Sequence, residues 1–100
     1  MVDWGSLEGF EWDAGNLRKS ELKHAVSMAE AEQVFFNEPL LVVEDRPHSS
    51  IEPRWHALGR TDAARLLHVT FTLRSGGKLI RVISARDMHR KERSVYEQDR

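Results

Sequence analysis

Three strand-like segments follow one another in the second half of this sequence, and only short links separate them. Each segment is rich in apolar or β-branched residues and is bounded by turn residues; they span 54–60, 66–73 and 79–85. Residues 61–64 form the first link, and a turn containing Gly76 and Gly77 forms the second. Because such short links leave little room for a crossover connection, they favour antiparallel neighbours. The pattern predicts a β-meander.

A shorter apolar run and three helical patterns complete the predicted fold. Residues 40–43 form a further strand that ends in acidic Glu44 and Asp45, and residues 46–53 are predicted to be a loop. Caps and stop signals predict helices from Asp13 to about His24, from the capping box of Ser27 and Glu30 to residues 37–39, and from Asp87 onward. The predicted fold class is α+β, with two N-terminal helices packed on a four-stranded antiparallel sheet and a C-terminal helix.

The composition is typical of a globular protein with a single core. Of the 100 residues, 40% are hydrophobic and 31% charged, so we expect one domain over residues 1–100, with 1–9 as a flexible tail. Cysteine is absent, which excludes disulfides and thiolate metal sites. The sequence contains neither a signal-peptide pattern nor the roughly 20 consecutive apolar residues of a membrane span. We therefore expect a cytoplasmic protein without a membrane partner.

The charges are divided unevenly between the two halves of the chain. Residues 1–50 hold 4 basic and 10 acidic side chains, whereas residues 51–100 hold 11 basic and 6 acidic ones. The net charges are therefore -6 and +5, although they sum to only -1. This asymmetry indicates that the second half meets a polyanion and the first half another partner, unless the charges are simply scattered over a solvated surface.

The basic residues of the second half are the strongest chemical signal in the sequence. The chain lacks a glycine-rich phosphate loop, a G-x-S-x-G elbow, an H-E-x-x-H motif and a cysteine pair, which argues against most enzyme classes. Arginine and histidine suit phosphodiester chemistry, because one binds phosphate oxygens and the other transfers protons near neutral pH. The basic cluster comprises Arg54, His56, Arg60, His68, Arg74, Lys78, Arg81, Arg86, His89, Arg90, Lys91 and Arg93.

Metal-free RNA cleavage requires proton transfer and stabilisation of charge on the phosphate, and several candidates can supply them. Strand alternation places Arg54, His56 and Arg60 on one face of the sheet, opposite Trp55; a merely solvated face is the alternative. Arg86 ends the last strand, whereas Arg81 is predicted on the opposite face from it and is equally suited to pairing with a carboxylate. The predicted RNA-binding residues are Arg54, His56, Arg81, His89, Arg90 and Lys91.

His48 lies in the loop after Glu44 and Asp45, from which it could bring a titratable group to the sheet. The alternative is an exposed loop histidine without a role. His24, His56 and His68 lie on separate elements without acidic ligands at matched spacing, so no metal site is predicted. No cofactor motif is visible either.

Several short motifs, taken together, resemble those of the BrnT family of toxins. In chain order they are Phe10-Glu11-Trp12-Asp13, Lys23-His24-Ala25-Val26-Ser27, Glu30-Ala31 with Val34-Phe35, Glu44-Asp45, Ala57-Leu58-Gly59-Arg60, residues 80–86, and Lys91-Glu92-Arg93 with Tyr96-Glu97. The likeness runs from about Phe10 to Glu97. Two residues depart from the family pattern: Ala25 stands where glycine is usual, and Ala14 where proline often opens the first helix.

The resemblance implies a RelE-like fold and a metal-independent ribonuclease that inhibits translation. It also implies a BrnA-like ribbon-helix-helix antitoxin, which would hold the toxin inactive in a heterotetramer that binds operator DNA. Arg60 and Arg86 match basic positions of the family's RNA-cleaving site, and His48 matches a histidine common in the loop. These three are the catalytic candidates, and Arg60 and Arg86 are expected to converge over one open face. The competing interpretation is a non-catalytic module that binds nucleic acid or a protein partner.

Overall fold

The computed structural model describes residues 2–49 and 51–98. Five strands form a single sheet: β1 (Gly9–Trp12), β2 (Leu41–Glu44), β3 (Trp55–Arg60), β4 (Leu66–Arg74) and β5 (Leu79–Asp87). Three α-helices accompany it: α1 (Ala14–His24), α2 (Met28–Gln33) and α3 (Arg90–Gln98). Short 3₁₀ turns occupy Trp4–Ser6, Val34–Phe36 and Arg46–His48. None of the helices in these two described ranges is long and apolar enough to cross a membrane.

The sheet has the strand order β1-β5-β4-β3-β2. Strands β2 to β5 form the predicted antiparallel meander. The expected four-stranded antiparallel sheet is nevertheless wrong in one respect, because β1 adds a fifth strand parallel to β5 and pairs Phe10 with Ile80. A four-residue strand whose partner lies about seventy positions away leaves no local turn signal by which the pairing could be recognised.

The described part of the predicted tail is packed rather than loose. Val2 is buried, and the Trp4 ring lies 6.2 Å from that of Phe35 and 6.4 Å from that of Phe71. Aromatic contacts of this kind hold residues that composition alone assigns to a tail. Val2 and Trp4 therefore contact the core within the segment predicted to be a flexible tail, and Met1 lies outside the described residues.

The hydrophobic core lies between α2 and one face of the sheet. Strand alternation buries Ala57 and Gly59 of β3 on this face, and the Trp55 ring, predicted to lie opposite Arg54 and His56, stacks on Phe71 at 5.7 Å. A Cβ atom on Gly59 would lie 2.5 Å from Cγ1 of Val34, so only glycine lets the turn after α2 approach this closely. The core is thus fixed on one side of the sheet, which leaves the other side for polar residues.

A β-bulge in β5 changes which residues share a face. Thr70 pairs with Ser84, but the next residue, Phe71, pairs with Val82, so Ile83 is an extra residue in the ladder. The extra residue reverses the alternation beyond it. Arg81 and Arg86 pair with Thr72 and His68, two residues of β4 that share a face, so the prediction that these arginines lie on opposite faces is wrong.

The last helix begins later than predicted. Asp87 is the final residue of β5 and binds Arg65 through an Oδ1–Nε contact of 2.7 Å, so it does not cap the helix. Helix α3 starts at Arg90, and a Glu92 carboxylate oxygen accepts the His89 N–H instead. Glu92, three residues after His89, therefore satisfies a backbone N–H at the start of the helix, which is the task expected of Asp87.

Arg65 joins three segments that are distant in the sequence. Besides Asp87, its guanidinium donates to the carbonyl oxygens of His24 and Ala25 at the end of α1, and to Glu30 in the capping box of α2. The capping box itself forms as predicted, with Ser27 and Glu30 bonded to each other's backbone N–H groups. Since the C-terminal carbonyls of a helix lack intrahelical donors, this single side chain fixes the turn between α1 and α2.

The turn between the first two helices predicts that Ala25→Gly stabilises the fold. Ala25 has a φ of 52° and a ψ of 39°, a left-handed conformation that costs an alanine about 1 kcal/mol and a glycine almost nothing. We expect the free energy of unfolding, measured by urea denaturation, to rise by about 0.5–1 kcal/mol.

Ala29→Gly provides the matched control, because Ala29 is an exposed residue inside α2 with ordinary helical geometry. This change should lower the free energy of unfolding by about 0.5–1 kcal/mol. Equal losses from the two substitutions would contradict the left-handed conformation of Ala25.

Candidate active site on the polar face of the sheet

The sheet face opposite the core, here called the polar face, carries three buried polar residues of β4. Alternation places His68, Thr70 and Thr72 on this side of a strand whose other side is the core. The Thr72 hydroxyl donates to the Pro53 carbonyl at 2.6 Å, and Thr70 Oγ1 lies 2.9 Å from Nδ1 of His56. Buried polar groups require such partners, so the elements around β4 must supply them.

Asp45 is a buried carboxylate shared by two histidines. His48 Nδ1 lies 3.0 Å from both carboxylate oxygens, and His56 Nε2 lies 3.0 Å from Oδ2. Burial favours the neutral form of Asp45, but the hydrogen bond from His48 and the charges of both histidines outweigh it and lower the pKa of this carboxyl. An ionised Asp45 accepts from both rings, which assigns a proton to Nδ1 of His48 and one to Nε2 of His56.

The two rings therefore differ in what they can still bind. Both nitrogens of His56 are engaged, because the Thr70 hydroxyl can donate to Nδ1 while Nε2 donates to Asp45. His48 uses only Nδ1, and its side chain is 69% exposed. The Nε2 atom of His48 is consequently the ring nitrogen that solvent or a substrate can reach.

His68 continues the contacts toward β5 and α3. Its ring centroid lies 4.8 Å from that of His56, and its Nε2 lies 3.8 Å from Oε2 of Glu92. Burial, followed by the charge of Arg86, lowers the pKa of His68 to about 4, so its ring is neutral at neutral pH. Its Nδ1 is buried and has no hydrogen-bond partner within residues 2–49 and 51–98.

Arg86 and Glu92 form a bidentate ion pair at the other end of these contacts. The two guanidinium–carboxylate distances are 2.8 Å and 2.9 Å. The hydrogen bond from Arg86 is the main reason that the pKa of Glu92 falls to about 2. We call the connected set the polar row; it comprises His48, Asp45, His56, Thr70, His68, Glu92 and Arg86.

Arg60 lies on the same face but in a separate cavity. Its Nε donates to the Glu38 carbonyl at 2.8 Å, and the cavity beside it holds about 500 Å³ between this residue, Leu66 and Tyr96. Arg60 is on β3 and Arg86 on β5, two strand spacings apart, or about 10 Å. Both arginines lie on the polar face, but their guanidinium groups bind different partners, and their convergence on RNA stays a prediction.

The other predicted site residues fall into three groups. Arg54 lines a groove of about 280 Å³ together with His48 and Ile51. Arg81 binds Glu11 at 2.7 Å and Asp13 at 2.9 Å, which is the alternative that the sequence left open. The remaining three, His89, Arg90 and Lys91, are exposed at the start of α3, next to Glu92.

Sequence reasoning gave no role to Asp45, Thr70 or Glu92. The available signal was the period-two recurrence of polar residues at 68, 70 and 72 within an otherwise apolar strand, which marks a polar side that needs partners. In the described ranges 2–49 and 51–98, no group of three metal-ligating side chains is present.

The lowered pKa of His68 predicts how stability depends on pH. Its folded-state pKa of about 4 lies below the ordinary 6.5, so between these values the unfolded chain binds a proton that the folded chain rejects. The free energy of unfolding should therefore be highest above pH 6.5 and fall on acidification toward pH 4, by roughly 1–3 kcal/mol from this group.

Urea denaturation of the wild type and of His68→Gln between pH 7 and pH 5 measures this effect. This window lies above the ordinary pKa of 4.5 of Glu92, whose own contribution is lost only below it. The variant should show a shallower pH dependence, whereas His24→Gln, at an exposed histidine, should not. Identical slopes in all three proteins would contradict a neutral buried His68.

Comparison with known proteins identifies both the fold and the family. The crystal structure at 1.1 Å resolution of the Brucella abortus ribonuclease toxin BrnT is similar to this chain, with a TM-score of 0.60 and 21% sequence identity. The match covers 82% of this chain and 97% of that one, and at this identity it shows a shared fold. None of the curated proteins compared with the chain matches it.

The family model gives the more specific result. The model for BrnT, the ribonuclease toxin of type II toxin–antitoxin systems, matches residues 12–92. This range runs from the end of β1 into α3 and contains every member of the polar row. The predicted resemblance is thus confirmed, and the chain belongs to the BrnT family of ribonuclease toxins.

Proposed function

We propose that this protein is an endoribonuclease that cleaves RNA without a metal ion, at the end of the polar row nearest His48. The observation that carries the proposal is the contact of His48 Nδ1 with both oxygens of Asp45, which leaves the exposed Nε2 for a substrate. A carboxylate that orients one ring nitrogen fixes the tautomer and stabilises the imidazolium that forms when the other nitrogen accepts a proton.

His48 is the proposed proton-transfer residue. Cleavage within the RNA chain requires removal of the proton from a ribose 2'-hydroxyl, attack of that oxygen on the adjacent phosphorus, and protonation of the departing 5'-oxygen. A neutral His48 accepts the first proton at Nε2, and the resulting imidazolium can deliver it to the leaving oxygen. Asp45 and His56 position this ring; they do not contact the RNA in the proposed mechanism.

Arginines on the polar face supply the phosphate contacts. Arg54 shares the groove of His48, which supports a role for it in binding the phosphate under attack. Arg86 lies at the far end of the polar row and Arg60 in its own cavity, so they bind neighbouring phosphates along the strand. A phosphate offers Arg86 the same bidentate geometry as the Glu92 carboxylate and can replace it. The exposed residues His89, Arg90 and Lys91 extend this basic surface.

The wider role of the protein follows from its family. A type II toxin implies an antitoxin partner, and we propose that this partner is a BrnA-like ribbon-helix-helix protein whose heterotetrameric complex with the toxin binds operator DNA. Cleavage of RNA would inhibit translation in the cytoplasm. The chain would form one domain with a RelE-like fold. The division of charge supports this arrangement, since the basic half suits RNA and the acidic half suits a protein partner.

Replacing His48 by glutamine should abolish most of the cleavage. Loss of a positioned general acid–base typically lowers the rate by about 10²–10⁴-fold. The measurement is the initial rate of cleavage of a fluorescent RNA oligonucleotide in the presence of EDTA, which should leave the wild-type rate unchanged.

His24→Gln is the matched control, because His24 is an exposed histidine outside the polar row and should leave the rate unchanged. Full activity of His48→Gln would reject the proposed site. An intact oligonucleotide that binds wild-type protein with a steep salt dependence would support the non-catalytic binding module instead.

Arg54, Arg60 and Arg86 should each contribute to RNA binding. Substitution of any one by alanine should weaken RNA affinity and reduce the slope of log K against log salt by about 0.7, the value for one lost phosphate contact on a single strand. Fluorescence anisotropy at several salt concentrations measures both quantities. Arg18→Ala, at an exposed position on α1, should change neither; equal slopes for all the variants would exclude these arginines from the interface.

A further inference from the structure

The outer edge of β2 is available for pairing with another strand. Among the described strands, β2 has only β3 as a neighbour. The Asp45 N–H donates at 2.8 Å to the carbonyl of Arg54, the residue just before β3, so Asp45 faces β3. Along a strand of an antiparallel pair, successive residues direct their backbone groups alternately toward and away from the partner strand. Val42 and Glu44 therefore direct their backbone N–H and C=O groups away from β3. Such an edge is a template for strand addition.

Two grooves follow this edge on either side of Trp4, and the one beside Phe36 is mostly apolar. One groove holds about 340 Å³ and contains Phe36 and Leu40; the other holds about 360 Å³ and contains Val42 and Trp55. The Phe36 side chain is 77% exposed, and Trp4 is 42% exposed. Large exposed aromatic side chains grouped in this way are characteristic of a surface that another molecule covers.

The charge of these grooves selects the type of occupant. Glu38 and Glu44 are the only charged residues that line them in the described part of the chain. A second copy of the chain would bring glutamate against glutamate, which is unfavourable. Lysine or arginine in the occupant would instead be attracted to both carboxylates, in agreement with the net charge of -6 of residues 1–50.

We propose that the β2 edge docks an extended segment of the antitoxin as a sixth strand of the sheet. Alternate side chains of that segment are apolar and enter the two grooves, and it carries lysine or arginine opposite Glu38 and Glu44. The identification of the occupant as the antitoxin rests on the proposed toxin function; the edge, the grooves and their charge do not.

The docked strand would also lie beside the proposed catalytic end of the polar row. Strand β2 ends at Glu44, and the next residues are Asp45 and the turn Arg46–His48. A partner segment that extends past the end of β2 therefore covers the groove shared by His48 and Arg54. Docking at this edge provides a direct physical route to inhibition of RNA cleavage.

The probe for this proposal is the purified protein encoded by the gene adjacent to that of this chain. Its Kd is measured by isothermal titration calorimetry for the wild type, Glu44→Pro, Glu44→Lys and Phe36→Ser. Proline at 44 removes an outward N–H and is tolerated on an edge strand, so it blocks strand addition without breaking the β2–β3 ladder.

Each variant should bind at least about tenfold more weakly. Phe36→Ser and Glu44→Lys should also cleave RNA in the presence of the probe at concentrations that silence the wild type.

The controls separate a docking defect from a folding or catalytic one. Glu21→Lys reverses an exposed charge on α1, beside β5 at the far side of the sheet, and should retain wild-type affinity. Thermal unfolding and RNA cleavage without the probe are measured for every variant. For wild type, amide exchange at Val42 and Glu44 should slow markedly when the probe binds.

Three results obtained with the probe would overturn the proposal. They are failure of the probe to bind the wild type, affinities within twofold for all the variants, and unchanged exchange at Val42 and Glu44 in the complex. A wild-type dimer, detected by light scattering and dissociated by Phe36→Ser, would also overturn it in favour of a second copy. Absence of RNA cleavage with normal docking would reject the proposed ribonuclease function alone.

Discussion

The structure depends on a central strand that is buried on both faces while only one of those faces is apolar. Leu67, Val69 and Phe71 of β4 belong to the core, whereas the residues between them are polar and also buried. Burying a hydroxyl without a partner costs a few kcal/mol, and Thr70 and Thr72 each have one, whereas Nδ1 of His68 has none among the described residues. The elements that cover this second face, the loop after β2 and helix α3, are placed where they supply those partners.

The polar row is the outcome of that requirement. Thr70 binds His56, His56 binds Asp45, and Asp45 orients His48, so satisfying a buried hydroxyl ends by presenting a histidine to solvent. On the other side, Glu92 meets His68 and Arg86 and anchors the start of α3. The same contacts therefore stabilise the fold and hold His48, the proposed proton-transfer group, near the arginines that we propose to bind phosphate, which is the reason that we propose catalysis at this face.

Much of the fold could be predicted because its signals are local. The meander follows from short links, and the capping box of Ser27 and Glu30 follows from their spacing. The parallel strand β1 and the bulge at Ile83 depend on distant pairing, so alternation alone placed Arg81 on the wrong face. In the candidate site, residue type was enough to select His48 and Arg86 as candidates, whereas Asp45 and Glu92 could be proposed only from the neighbours that the sheet brings to them.

Inhibition by strand addition would follow from the position of Asp45 at the boundary between two surfaces. Its backbone N–H continues the β2–β3 ladder, while its carboxylate holds His48 and His56. Because β2 is only four residues long, a strand added at its edge stiffens the same backbone that carries this carboxylate. The partner would thereby act on the proton-transfer group in two ways, by covering its groove and by fixing the segment that orients it, without any contact to the distant Arg86.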